Sequence, residues 1–255
     1  MRGIWTGYRL QLAFYRNYPD TFIPLLTAPL FTLIFAMIIR YNGRGDLSAY
    51  AVIAPFFMSL WWFALFHGGF AVQTDRWQGT IELQFAAPTS YPLVILGRIL
   101  AVMTGGLLSF GEVWLFARYV LRVHLAVHHP VVLLVTLAAT AFAMATTALF
   151  MAGLFVIARS AATFSNSASY PFYVLGGILV PVALLPGWIQ PVSTVVFLSW
   201  SSSLLRKSLS PAPVSGLALG LSMIVVLGLA ALGLATLLML RIQHRVRATG
   251  ELSLR

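Results

Sequence analysis

The residues of this 255-residue chain that could do chemistry are few and scattered. Its six carboxylates are Asp20, Asp46, Asp75, Glu82, Glu112 and Glu251, too dispersed to suggest a paired acid and base. His124 and His128 stand four apart with His129 adjacent. That spacing can hold zinc on a helix. No carboxylate lies nearby in sequence, however, and Pro130 marks a helix that has ended or not begun, so the trio reads as a polar loop and no metal site is expected. The one lysine, Lys207, precedes Ser208, as in a phosphate-binding loop. Arg206 occupies the place of the required glycine, so any ATP use belongs to another polypeptide. Cysteine is absent, which removes thiolate chemistry and disulfides. No catalytic residue and no cofactor are expected in this chain.

Two ionisable groups sit inside apolar runs. Glu112 lies fourteen residues beyond Arg98, about 21 Å along a helix at 1.5 Å per residue. A lone carboxylate there must be paired, protonated or wet. It is either a polar point on a substrate path or a structural partner within a bundle. His67, in "FHGGF", reads as a polar group between helices, with glycines that allow close approach. The stretch "PFFMSLWWFALF", residues 55–66, packs six large aromatics into one run. It can serve as an apolar wall for an amphipathic ligand or simply as packing surface.

The elements that must position these groups are membrane helices. Charged residues are 9% and hydrophobic residues 60% of the chain, against about 25% charged in a soluble domain. Six apolar spans are expected at about 21–39, 50–73, 93–121, 131–157, 167–185 and 214–240, each near the roughly 20 residues that cross a bilayer core. The formal charge of +10 comes almost wholly from arginines flanking these spans rather than from one patch, which argues against nucleic acid. With the N-terminus inside, ten basic residues fall on inner segments and six on outer ones, so both termini are expected to be cytoplasmic. Residues 1–20 read as an interfacial helix. Ile4, Trp5, Tyr8, Leu12 and Tyr15 form an apolar arc, with Arg2, Arg9 and Arg16 beside it. Pro181, Pro186 and Pro191 break the fifth region, and 186–205 reads as short helices dipping into the outer leaflet. Residues 241–255 form a basic tail.

The segment "DRWQGTIELQFAAPTSYPL", residues 75–93, is the polar interruption that matters most. Together with Gly97 and Arg98 it resembles the cytoplasmic loop of ABC type-2 permeases, matching at Asp75, Arg76, Gly79, Thr80, Ile81, Glu82 and Pro88. Trp77 and Gln78 stand where that family often has a second acidic residue. The stretch "GGILVPVALLPGWIQPVSTVVFLSWSSSLLR" resembles the family's late proline–tryptophan region.

The resemblance implies an all-α polytopic membrane protein. It would be a single permease domain over 1–255, with six transmembrane helices, an N-terminal interfacial helix, a cytoplasmic coupling helix within 74–92 and outer-leaflet re-entrant helices. It implies an exporter half that pairs with a second permease, identical or sibling, and docks a cytoplasmic ATPase holding ATP and magnesium. The cargo would be an amphipathic small molecule, lipid or glycan. The expected ATPase-coupling residues are Asp75, Arg76, Trp77, Gly79, Thr80, Glu82 and Phe85. A short helix from about Trp77 to Ala87 would present Phe85 to a groove, with Glu82 and Arg76 meeting opposite charges and Gly79 allowing close approach. The candidate pathway residues are Phe57, Trp61 and His67 of the second span, Glu112 of the third, and Tyr170 and Tyr173 of the fifth. Arginine in place of lysine points to a GC-rich bacterial source, hence an inner membrane. The competing reading is a secondary transporter or channel without an ATPase. It would want several intramembrane ionisable groups or midplane helix breaks. An intramembrane transferase would want clustered acids or histidines.

Overall fold

The computed structural model describes residues 2–17, 23–80, 90–123, 126–157 and 161–249. They form α1 (Arg2–Asn17), α2 (Ile23–Tyr41), a 3-10 turn (Gly45–Leu47), α3 (Tyr50–Trp62), a π-helical segment (Phe63–Gly69) and α4 (Ala71–Trp77). There follow α5 (Tyr91–Tyr119), α6 (Pro130–Ile157), α7 (Ala161–Leu175), a 3-10 turn (Val182–Leu184), α8 (Gln190–Ser193), α9 (Phe197–Leu209) and α10 (Leu217–Thr249). Among the described residues there are no strands.

Among the described residues, four segments are long and apolar enough to cross a membrane: Tyr50–Asp75, Tyr91–Tyr119, Pro130–Phe155 and Leu217–Ile242. The first expected span corresponds to α2, 19 residues long, within which Leu25–Tyr41 counts as a shorter apolar helix. The fifth departs from the expected length. The span expected at 167–185 is a helix over Ala161–Leu175 of 15 residues, about 22 Å at 1.5 Å per residue, which is less than a hydrocarbon core of about 30 Å.

Its end has a local cause. Gly177 adopts φ +62, and Ile178 N–H donates to Tyr173 O at 3.1 Å while Gly177 N–H donates to Val174 O at 3.1 Å. This pair of bonds closes a helix through a left-handed glycine. Gly43, with φ +64, ends α2 in the same way. Past Gly177 the chain forms α8 and α9, and α9 packs on α6 and α10.

The core is built around α3 and the π segment, which lie against α5 and α6. Trp61, Phe56, Phe57 and Phe63 are among the largest fully buried side chains. The lipid-type faces are equally apolar: Leu26, Leu30, Ile34 and Met37 of α2, and Val226, Leu229 and Leu237 of α10, are exposed. Such faces need a bilayer or a partner to cover them.

Helix α1 docks on α5 through its smallest residues. Gly3, Gly7, Gln11 and Tyr15 form its buried stripe, four residues apart, while Trp5, Leu10 and Leu12 are exposed. The apolar arc read from the sequence thus divides. Trp5 and Leu12 face outward, Ile4 and Tyr8 are half-buried, and Tyr15 turns into the protein. A β-carbon on Gly7 would lie 2.0 Å from Val94 O, and one on Gly97 would lie 2.0 Å from Ile4 O. The two helix backbones therefore touch at this crossing, as small residues permit between membrane helices.

Candidate functional site

A cleft of about 210 Å³ opens between α2, α3, the π segment and α7. Thr27, Ala28 and Phe31 come from α2, and Pro55, Met58, Ser59 and Trp62 from α3. Phe66 comes from the π segment, and Asn166, Ser169, Tyr170 and Tyr173 from α7. Each stripe follows helical spacing: 55, 58, 59, 62, 66 on one wall and 166, 169, 170, 173 on the other. The lining joins broad aromatic faces to neutral hydroxyl and amide groups, and none of these side chains is formally charged. Ser59 Oγ is buried in this wall without a hydrogen-bond partner.

The wall behind the cleft is locked. Trp61 is buried and its Nε1–H donates to Ser169 Oγ at 3.0 Å. Ser169 Oγ donates in turn to Ser165 O at 2.7 Å. The Trp61 ring lies 4.6 Å from Phe172 and 6.4 Å from Tyr173 between centroids. Burial with a satisfied indole N–H fixes the α3–α7 contact that spaces the cleft.

Of the candidate pathway residues, the structure brings Tyr170 and Tyr173 to the cleft and places Trp61 directly behind it. Phe57 is fully buried against Phe56, with ring centroids 5.2 Å apart. His67 is half-buried among the rings of Trp62 and Phe63, at 5.2 and 5.7 Å, and is not among the lining residues. Glu112 lies on α5, away from this lining; its Oε2 is buried with no hydrogen-bond partner. Sequence reasoning missed Thr27, Phe31, Asn166 and Ser169, whereas Ser59, Trp62 and Phe66 fall within the 55–66 stretch read as a possible apolar wall. The i, i+3, i+4, i+7 stripes through Ser59 and Ser169 were the signal that could have found them.

The same helical column that lines the cleft ends at the polar interruption. Asp75 on α4 does not face outward. It is 2% exposed, and its carboxylate accepts from Arg98 Nη1 at 2.6 Å and from the Tyr91 hydroxyl at 3.3 Å. Arg98, itself 4% exposed, donates from Nε to Gln11 Oε1 at 3.1 Å. One buried ion pair thereby joins α1, α4 and α5. Such a pair holds its charges in low dielectric only because further hydrogen bonds complete it.

The helix expected from about Trp77 to Ala87 does not begin where the sequence placed it. Trp77, exposed, is the last residue of α4. Gly79 takes φ +66 and Thr80 N–H donates to Asp75 O at 3.0 Å, the same glycine-closed helix end seen after α7. Gly79 thus terminates a helix, and a β-carbon there would meet nothing within 4 Å. Arg76 lies on α4. Glu82 and Phe85 fall outside the described residues.

The histidine pair at the start of α6 serves the fold. His128 Nδ1 lies 2.9 Å from Leu209 O, and His129 Nε2 lies 3.0 Å from Ala212 O, which ties the start of α6 to the end of α9 and the turn after it.

Against known families, the model described as ABC-2 type transporter matches residues 6–210, well over half of the chain. No curated protein matches it.

Proposed function

The chain belongs to the ABC-2 type transporter family, and on that premise we propose that it is the permease half of an ATP-driven exporter in a bacterial inner membrane. As a transport subunit it uses ATP and magnesium held by a separate ATPase. A second permease, identical or sibling, completes the pathway. Six segments cross the membrane in this reading, the fifth as α7 together with the irregular stretch that follows it, with both termini cytoplasmic, α1 in the inner headgroup plane and α8–α9 dipping into the outer leaflet. The cargo is an amphipathic small molecule, lipid or glycan.

One observation carries the reading. The continuous column of α3, the π segment and α4 lines the cleft at one end and ends at Asp75–Thr80 at the other. Residues 76–85, with Arg76, Trp77, Glu82 and Phe85, are then where the ATPase takes hold, and the buried Asp75 anchors them to α5. Movement of that loop is delivered along one helical column to the cleft wall. The neutral aromatic and hydroxyl lining suits a ligand with an apolar body and hydrogen-bonding edges.

The test is reconstitution in proteoliposomes with a candidate ABC ATPase from the same genome. A stable complex whose ATP hydrolysis rises with transported substrate is expected. Transport by the chain alone, driven by an ion gradient and indifferent to ATP, would replace this reading with a secondary transporter.

A further inference from the structure

The end of the bundle opposite the Asp75–Arg98 pair holds a second cavity. Helix α2 ends there, α3 begins there and α5 finishes there, because each runs the length of the bundle away from or toward the Asp75 end. The cavity measures about 330 Å³, near the lower end of the roughly 300–1,000 Å³ typical of ligand pockets. Its walls are apolar, from Ala36, Ile39, Ala51 and Val123, and its polar lining is Arg40 and Ser48. Gly43 and Gly45 complete the rim and leave it open, since a β-carbon on either would meet nothing within 4 Å.

Arg40 is exposed, and its Nη2 donates to the carbonyl of Leu121, a neutral acceptor. The acceptor recorded for Arg40 is that carbonyl, and the buried ion pair Asp75–Arg98 lies at the other end of the bundle. A guanidinium offers five donors in a planar fork suited to phosphate. Exposed tyrosines mark the same end: Tyr41 closes α2 and Tyr119 closes α5. Tyrosines at helix ends are the signature of headgroup depth. The exposed apolar residues Met37 and Ile38 run down α2 from the cavity, where an acyl chain would lie.

We propose that this cavity binds the headgroup of an anionic phospholipid, with its phosphate on Arg40 and its glycerol region against Ile39, Ala51 and Val123. The site is distinct from the cleft and is independent of the direction of transport. The cavity takes the headgroup alone, so the acyl chains remain in the bilayer along α2. A bound lipid would splint the ends of α2, α3 and α5, which meet at Arg40, Ser48 and Leu121.

The test is native mass spectrometry on the full chain released from nanodiscs of phosphatidylcholine with and without phosphatidylglycerol. The wild type should retain phosphatidylglycerol in preference to phosphatidylcholine. Arg40→Gln removes the charge and should lower that retention about tenfold, the loss of roughly one charge-assisted contact. Gly45→Leu keeps Arg40 and adds bulk at the open rim of the cavity, and it should lower retention comparably. Lys207→Gln removes a charge outside this lining, where the ammonium donates to Ser215 O, and should change retention by less than about twofold. Size-exclusion profiles check that each variant is folded. Equal retention by Arg40→Gln and wild type, or an unchanged Gly45→Leu, overturns the proposal. Displacement of the lipid by inorganic phosphate at modest concentration assigns the site to a free anion and overturns the lipid source.

Discussion

Removing the Asp75 carboxylate should unseat three helices at once. In Asp75→Ala, Arg98 stays 4% exposed and charged, with Gln11 Oε1 left as its acceptor and the Tyr91 hydroxyl deprived of the carboxylate. Breaking a buried pair on one side costs about 3–5 kcal/mol, because the surviving charge is uncompensated. For a domain of this size each kcal/mol moves the melting temperature by about 2–4 °C, so the loss should be about 6–20 °C. Arg98→Met should cost a similar amount, since it buries an unpaired carboxylate. The double variant Asp75→Ala/Arg98→Met buries no charge and should recover much of the loss, as replacement of buried pairs by apolar side chains often does. The assay is thermal unfolding of the detergent-purified chain followed by aggregation or tryptophan fluorescence. A drop below about 2 °C in Asp75→Ala would mean that the pair is solvated and weak. A double variant as unstable as the sum of the two singles would refute the coupling between them.

Gly97→Ala pushes a methyl group to within 2.0 Å of Ile4 O. Overpacking costs about 1–3 kcal/mol, and backbone contact puts this one at the upper end. The melting temperature should fall by about 6–12 °C, whereas Gly111→Ala, which meets nothing within 4 Å, should not lower it. Glu112→Gln keeps the shape of a side chain whose buried Oε2 has no partner, so thermal stability should hold while reconstituted transport falls. Unchanged transport at normal assembly would assign Glu112 a packing role. Because the chain has no cysteine, Gln78→Cys, at the exposed end of α4, tests orientation directly. A membrane-impermeant thiol reagent should leave it unlabelled in intact cells and label it after permeabilisation; labelling in intact cells would invert the topology.

Helices were legible in this chain because long apolar runs leave few alternatives. The direction in which each helix faces was not. In a bilayer the outer face is as apolar as the inner one, so periodicity does not separate Trp61, fully buried, from Leu26, exposed. The marker that did separate faces was size and polarity: Gly3, Gly7 and Gln11 point inward on α1, and Ser59 and Ser169 toward the cleft. The glycine that ends α7 was visible in "GGILVP", yet hydropathy carried the expected span past it to residue 185. Asp75 read as a docking residue through the resemblance of its segment to the family's cytoplasmic loop. Its partner Arg98 is 23 residues away, a pairing that no local spacing announces.

The crossing of Gly7 and Gly97 has a mechanical consequence. Two backbones in direct contact, with the Arg98–Gln11 bond beside them, cannot slide or pivot separately, so α1 and α5 move as one body. The exposed Trp5, Leu10 and Leu12 of α1 seek the headgroup boundary. Any tilt of α5 then carries these side chains up or down against the lipid. Bilayer thickness becomes a load on the joined pair, so a thinner or thicker membrane should bias which tilt the protein prefers.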